Sequence, residues 1–155
     1  MEKKPISRAG FDKLIEELKD LKEVQRPDIL KTVQWARSLG DLSENADYSA
    51  ARERQRQIDK RIQFIEGVIE NAAVIDIDSL SGDRVVFGAL VTAEDEDGNK
   101  MQCRILSDIE SDGKTVISCT SPVGRAMIGR CVGDTCMVKL PGGEKEYEIL
   151  EVKFK

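Results

Sequence analysis

Apolar positions recur in two different rhythms along these 155 residues. Phe11, Leu14, Leu18 and Leu21 fall three and four apart, the spacing of one face of an amphipathic helix. After a slip, the stripe resumes at Ile29, Val33 and Ala36. Ser7 precedes it as a helix N-cap, and Leu39-Gly40 closes it, since glycine accepts the left-handed conformation past a helix end. Pro27 lies inside the pattern; lacking an N–H, it is expected to bend the helix or loosen its pairing locally. A second stripe, Ala51, Gln55, Ile58, Ile62, Ile65, Ile69 and Ala72, repeats as a heptad seam flanked by Arg, Lys, Glu and Gln. Two helices of about 30 residues joined by a tight turn predict an antiparallel coiled-coil hairpin about 45 Å long. The short connection favours that hairpin over a dimerising coiled coil, because closing it costs little entropy.

The helical rhythm breaks at Ala73-Val74-Ile75-Asp76-Ile77-Asp78, and Ser81-Gly82-Asp83 reads as a turn. Strands are expected over 84–86, 89–94, 100–106, 115–119, 135–140 and 144–153. Asp95-Glu96-Asp97-Gly98-Asn99 and Pro141-Gly142-Gly143 supply hairpin turns. Between Pro122 and Gly129 a short helix is expected, with Ser121 as its cap. The fold class is therefore α+β: a hairpin domain over 1–76, and over 77–155 a small antiparallel sheet with one short helix.

Composition sharpens the division. The stretch from Met1 to Ile75 holds 14 basic and 14 acidic residues, so the net charge of −5 belongs to the rest of the chain. With no His, catalytic triads, His-ligated zinc and imidazole acid–base chemistry are excluded. Aromatics at 5 % supply no stacking platform for single-stranded nucleic acid. The overall negative charge argues against bulk binding to nucleic acid or membrane. Cys103, Cys119, Cys131 and Cys136 fit no zinc spacing and read as core or strand-face thiols in a reducing cytoplasm. No stretch has the length of a signal peptide or a membrane span, so the expected location is cytoplasmic.

The hairpin turn carries the candidate chemistry: Gly40-Asp41-Leu42-Ser43-Glu44-Asn45-Ala46-Asp47-Tyr48. Asp41 three residues before Glu44 fits a capping box, with Asp41 as N-cap of the second helix. The alternative is functional. Two carboxylates at the end of a thin rod are good hard ligands for Mg²⁺, yet they leave its octahedral shell unfilled. Such a tip cannot hold the ion alone but could complete a metal site in a partner's cavity. Asp47 reads as a residue favoured at a helix start, and Tyr48 as one that packs the tip. Arg52, Arg54, Arg56, Lys60 and Arg61 form a basic run that reads first as a solvated helix face. Arg37, across the turn, could join Arg52. Trp35 is expected to pack at the hairpin's flank.

The tip segment, with Ala50-Ala51-Arg52 after it, resembles the signature of the GreA/GreB family of bacterial transcript cleavage factors. The resemblance extends to Arg26-Pro27, Asn71-Ala72 with Val74-Ile75-Asp76, Val86-Phe87-Gly88-Ala89, Ser121-Pro122-Val123-Gly124-Arg125-Ala126-Met127-Ile128-Gly129 and Pro141-Gly142-Gly143-Glu144. The C-terminal stretches look more like GreA than GreB. The resemblance implies an N-terminal coiled-coil hairpin and a C-terminal domain like that of FK506-binding proteins. It implies a non-enzymatic factor, active as a monomer, that binds bacterial RNA polymerase and inserts the hairpin into the secondary channel. There it stimulates the polymerase's own cleavage of backtracked RNA. Asp41 and Glu44 match the family's tip acids, which help hold a Mg²⁺ shared with the polymerase and orient the attacking water. Arg37 and Arg52 match basic positions used near the RNA 3′ end, where phosphate contacts position the transcript without reading its sequence. Three other readings compete: a channel-binding inhibitor of the same fold, which would carry a denser acidic tip; a peptidyl-prolyl isomerase, which would need an aromatic-lined pocket that Phe87, Tyr147 and Phe154 hardly supply; and a plain coiled-coil adaptor.

Overall fold

The computed structural model describes residues 3–40 and 45–154. Two compact units are present, Phe11–Ala72 and a second one built from Lys3–Gly10 together with the chain from Ala73 onward.

The first unit is the helical hairpin. Its outgoing arm is α1 (Arg8–Asp20), a π-helical turn (Leu21–Gln25) and α2 (Arg26–Ser38); its returning arm is α3 (Ala46–Glu70). The cap read at Ser7 is present, its Oγ accepting the Gly10 N–H at 3.0 Å. Leu14, Leu21, Val33 and Ala36 are buried from one arm, and Ala51, Ile58, Ile62 and Ile65 from the other. The slip in the first stripe has a physical form. Leu14 and Leu21 are one heptad apart, and from Leu21 the repeat next requires positions 28, 32 and 35. The apolar residues stand one later, at Ile29, Val33 and Ala36. A π turn holds one residue more than an α turn, so it returns the late residues to the seam. The Arg26 N–H donates to the Leu21 carbonyl, five residues back. Pro27 follows at the start of α2, where its missing N–H breaks the ladder at the place where the ladder widens. Pairs on the surface tie the arms together: Arg26 to Asp59 at 2.9 Å, Arg61 to Glu17 at 2.5 Å, and Lys22 to Glu66 at 3.6 Å.

The second unit is a five-stranded sheet in the order β5-β4-β3-β7-β6, with β3 Leu90–Asp95, β4 Lys100–Leu106, β5 Val116–Ser118, β6 Thr135–Leu140 and β7 Gly143–Lys153. Three neighbour pairs are antiparallel as expected, but β5 runs parallel to β4, so the sheet is mixed. The turns at 95–99 and 141–143 close the hairpins; the Asp95 carboxylate accepts the Asp97 and Asn99 N–H groups at 2.9 Å each. The strand expected at 84–86 reduces to a single bridge between Arg84 and Cys131. One helix, α4 (Pro122–Met127), is capped by Ser121, whose Oγ accepts the Gly124 N–H at 3.1 Å. The core gathers Val85, Ala89, Val91, Ala93, Cys103, Ile105, Met127, Cys136, Val138, Ile149 and Phe154. Phe154 fills this core rather than lining a pocket, which weakens the isomerase reading. Cys103 and Cys136 are buried within it, and burial pushes the Cys103 thiol up to about 11. Two short strands, β1 (Lys4–Ser7) and β2 (Ala72–Ile75), form a separate two-stranded sheet that the periodicity did not reveal. Among the described residues no helix is long and apolar enough to cross a membrane.

Candidate functional site

α2 ends through Leu39, whose N–H donates to the Ala36 carbonyl at 3.2 Å, and Gly40, whose N–H donates to the Arg37 carbonyl at 3.2 Å. Gly40 has φ +91°, the left-handed conformation that glycine adopts without strain. On the other side, α3 starts at Ala46 and its N-cap is Asn45. The Asn45 Oδ1 accepts the Tyr48 N–H at 3.0 Å, while its Nδ2 donates to the Ala36 carbonyl at 2.7 Å. One side chain thus begins one helix and fastens to the last turns of the other.

This corrects the capping box. The start of α3 is capped by Asn45, so Asp41 and Glu44 do not have that duty in α3. Asp41 and Glu44 themselves lie outside the described residues, within the link from Gly40 to Asn45. Their carboxylates are hard oxygen donors suited to Mg²⁺, and two of them cover only part of an octahedral shell. Among the described residues no group of three or more His, Cys, Asp or Glu side chains gathers as a metal site.

Around this link the described side chains are placed as follows. Asp47 sits in the first turn of α3, as expected of a helix-start acid. Tyr48 is half-buried, and the Arg37 guanidinium lies over its ring at 5.9 Å from the centroid. This cation–π contact joins the last turn of α2 to the first turn of α3. Arg52, half-buried on α3, donates to Gln55 at 2.8 Å. The rest of the basic run serves the helix surface. Arg54 donates to Gln25 at 3.0 Å, Arg56 pairs with Glu53 at 2.8 Å, and Arg61 pairs with Glu17. The Arg56 hydrogen bond holds the Glu53 carboxyl below its ordinary range. Among the described residues, Arg37 lies against the Tyr48 ring and Arg52 against the Gln55 side chain. Trp35 is 55 % exposed, so it flanks the hairpin without being packed into it. The residue that sequence reasoning missed is Asn45. Its signal was the Asn one place before the first helical residue, which the stronger-looking Asp-x-x-Glu pattern masked.

Comparison with known proteins bears on the whole chain. The family description "Transcription elongation factor, N-terminal" of GreA/GreB matches residues 4–74, and "Transcription elongation factor, GreA/GreB, C-term" matches residues 80–154. The chain is 51 % identical to Transcription elongation factor GreA of Anaeromyxobacter sp. (strain K), over 99 % of this chain and 94 % of that protein. It is 49 % identical to Transcription elongation factor GreA of Rhodospirillum rubrum, over 99 % of each. Among solved structures, the GreA factor homolog 1 protein of Thermus thermophilus aligns over 99 % of each chain at 25 % identity with a TM-score of 0.46.

Proposed function

The chain belongs to the GreA/GreB family of transcription elongation factors, and from that premise we propose that it binds bacterial RNA polymerase and stimulates cleavage of backtracked RNA. The hairpin enters the secondary channel with its tip foremost, in the cytoplasm where the polymerase works. The polymerase remains the enzyme. The observation that carries this reading is the cap: Asn45 caps α3 and anchors it to Ala36, and Asp41 and Glu44 fall in the sequence between the two arms. Their two carboxylates are the donors offered to a Mg²⁺ shared with the polymerase. When bound, such an ion lowers the pKa of water and screens charge at phosphorus. The two acids also orient that water by accepting its hydrogen bonds. Arg37 and Arg52 hold phosphates of the extruded RNA, and the Tyr48 ring keeps the Arg37 guanidinium at the junction of the two arms. The test is to add the protein with Mg²⁺ to stalled, backtracked elongation complexes and follow RNA length. Shortened transcripts that resume elongation agree with the reading. Unchanged transcripts whose extension is slowed would instead identify a channel-blocking inhibitor.

A further inference from the structure

The seam of α3 runs through Ala51, Gln55, Ile58, Ile62 and Ile65 at alternating spacings of four and three. Four of these are apolar and buried, Ala51 at 5 % exposed and Ile58 at 2 % among them. The exception is Gln55, which is half-buried. A polar side chain at a coiled-coil seam costs stability, and its usual return is to fix the register between the helices. Gln55 serves a different end. Among the described residues its hydrogen bond stays on its own helix, the Oε1 accepting from the Arg52 Nη1 at 2.8 Å. Arg52 stands four residues after Tyr48 on α3, so the two share a helix face. The Arg37 guanidinium of α2 lies over that Tyr48 ring. Arg37, Tyr48 and Arg52 thus form one strip beside the link from Gly40 to Asn45, and Gln55 joins that strip to the seam. All four belong to the hairpin unit.

We propose that Gln55 is a positioning residue for the RNA contact: it gives up seam packing to hold the Arg52 guanidinium against α3 in the pose that meets a phosphate of the extruded transcript. The inference rests on the phosphate contact assigned to Arg52 above. A long arginine side chain loses rotamer freedom when it binds, and ordering it beforehand removes that cost. A guanidinium carries five N–H donors in a planar fork, so one can be tied to an amide while others meet a phosphate. The amide oxygen is neutral, so it orders the guanidinium without pairing with its charge as a carboxylate would. Leucine at this position would complete the heptad but offer no acceptor.

The test uses the full-length protein with shallow and deeply backtracked polymerase complexes. Variants are Gln55→Leu, Gln55→Glu, Arg52→Ala and the Arg52→Ala/Gln55→Leu double. Saturated cleavage rates are read at low and high salt, beside urea unfolding of the free proteins. Gln55→Leu should unfold at the same urea concentration as wild type or a higher one, because an apolar side chain returns to the seam. It should nonetheless slow cleavage of deep complexes by ~3- to 10-fold, the cost of ordering one long side chain, and leave shallow ones nearly unchanged. Stability and activity then move apart, which a residue serving only the packing of the hairpin would not produce. Gln55→Glu keeps an acceptor oxygen but adds a charge that pairs with Arg52, so its loss of rate should shrink as salt rises. The double variant should be no slower than Arg52→Ala, since Gln55 acts through Arg52. Wild-type-like rates on deep complexes in Gln55→Leu would overturn the inference. So would a loss equal in both complexes, a loss that adds to that of Arg52→Ala, or one accompanied by easier unfolding. If wild type itself stimulates no cleavage, the function assigned above fails and the inference with it. If Arg52→Ala cleaves deep complexes at the wild-type rate, the phosphate contact fails and takes the inference with it; an impaired Arg52→Ala beside an unaffected Gln55→Leu sinks only the inference.

Discussion

Asn45 serves both arms of the hairpin, accepting from Tyr48 and donating to the Ala36 carbonyl. Asn45→Ala removes a helix cap worth about 1 kcal/mol and also the bond to Ala36. Thermal melts followed by circular dichroism should show that loss. Asn45→Asp, which keeps the cap oxygen and loses the Nδ2 donor, should fall between. The choice of Asn45 over Asp41 as cap was not legible from local rules, because Asn and Asp cap almost equally well. It is decided by a tertiary contact: a carboxylate cannot donate to the Ala36 carbonyl, and an amide can. The basic residues divide in a similar way. Arg54, Arg56 and Arg61 bind Gln25, Glu53 and Glu17 along the helix surface, whereas Arg37 and Arg52 stand in the turns nearest the link between the arms, beside Tyr48 and Gln55. Arg37→Ala/Arg52→Ala should therefore slow cleavage of deeply backtracked complexes more than of shallow ones. The difference should shrink as salt rises, since phosphate contacts are screened. Equal rates in RNA cleavage assays of both complexes would return these two arginines to the solvated face. A loop acid gives a pH signature. Asp112 accepts the Thr115 hydroxyl at 2.6 Å and the Lys114, Thr115 and Val116 N–H groups, which holds its carboxyl well below the ordinary range. A depressed folded-state pKa stabilises above the unfolded value. The melting advantage of wild type over Asp112→Asn should thus be full above about pH 4 and fade as pH falls.

At the scale of elements, the π turn Leu21–Gln25 is a correction of register built into the first arm. Deleting Glu23 would bring Ile29, Val33 and Ala36 one position earlier and restore an unbroken heptad from Leu21. That deletion should leave the hairpin's melting temperature unchanged or raised. Deleting Thr32 instead rotates Val33 and Ala36 off the seam by a residue's turn, and should cost about 2–5 kcal/mol, as losing large buried side chains does. Equal losses in the two deletions, measured by urea unfolding, would show that the π turn does more than absorb a residue. Both stripes and the slip were visible in the sequence because a heptad seam is a long, repeated signal. The sheet was legible wherever strands alternate: 100–106 and 135–140 agree with β4 and β6 to the residue. Where the reading failed, the signal was short or non-local. β1 is four residues with a proline, too brief to show alternation. The direction of β5 depends on the loop from Ser107 to Thr115 carrying the chain back along β4, which no two-residue rhythm records.

On the scale of the whole molecule, composition located a change of build near residue 75, but it could not show that the first strand of the chain belongs with the chain from Ala73 onward. Lys3–Gly10 is part of the sheet unit, and Ile6, 2 % exposed, is among its buried residues. A fragment of residues 77–155 lacks β1 and the Ser7 contact with Glu110. It should melt below the sheet domain of the intact protein by calorimetry, compete with the full-length chain for polymerase, and cleave nothing. Family membership covers both units. The proposed function rests on the two carboxylates of Asp41 and Glu44. Its most direct test is the rate of RNA cleavage in one backtracked complex, measured against factor concentration for wild type, Asp41→Asn and Glu44→Gln. The account predicts saturated rates lower by ~100-fold or more, with half-saturating concentration and helicity unchanged. Saturated rates equal to wild type, or losses matched by equal losses of binding or helicity, would contradict it.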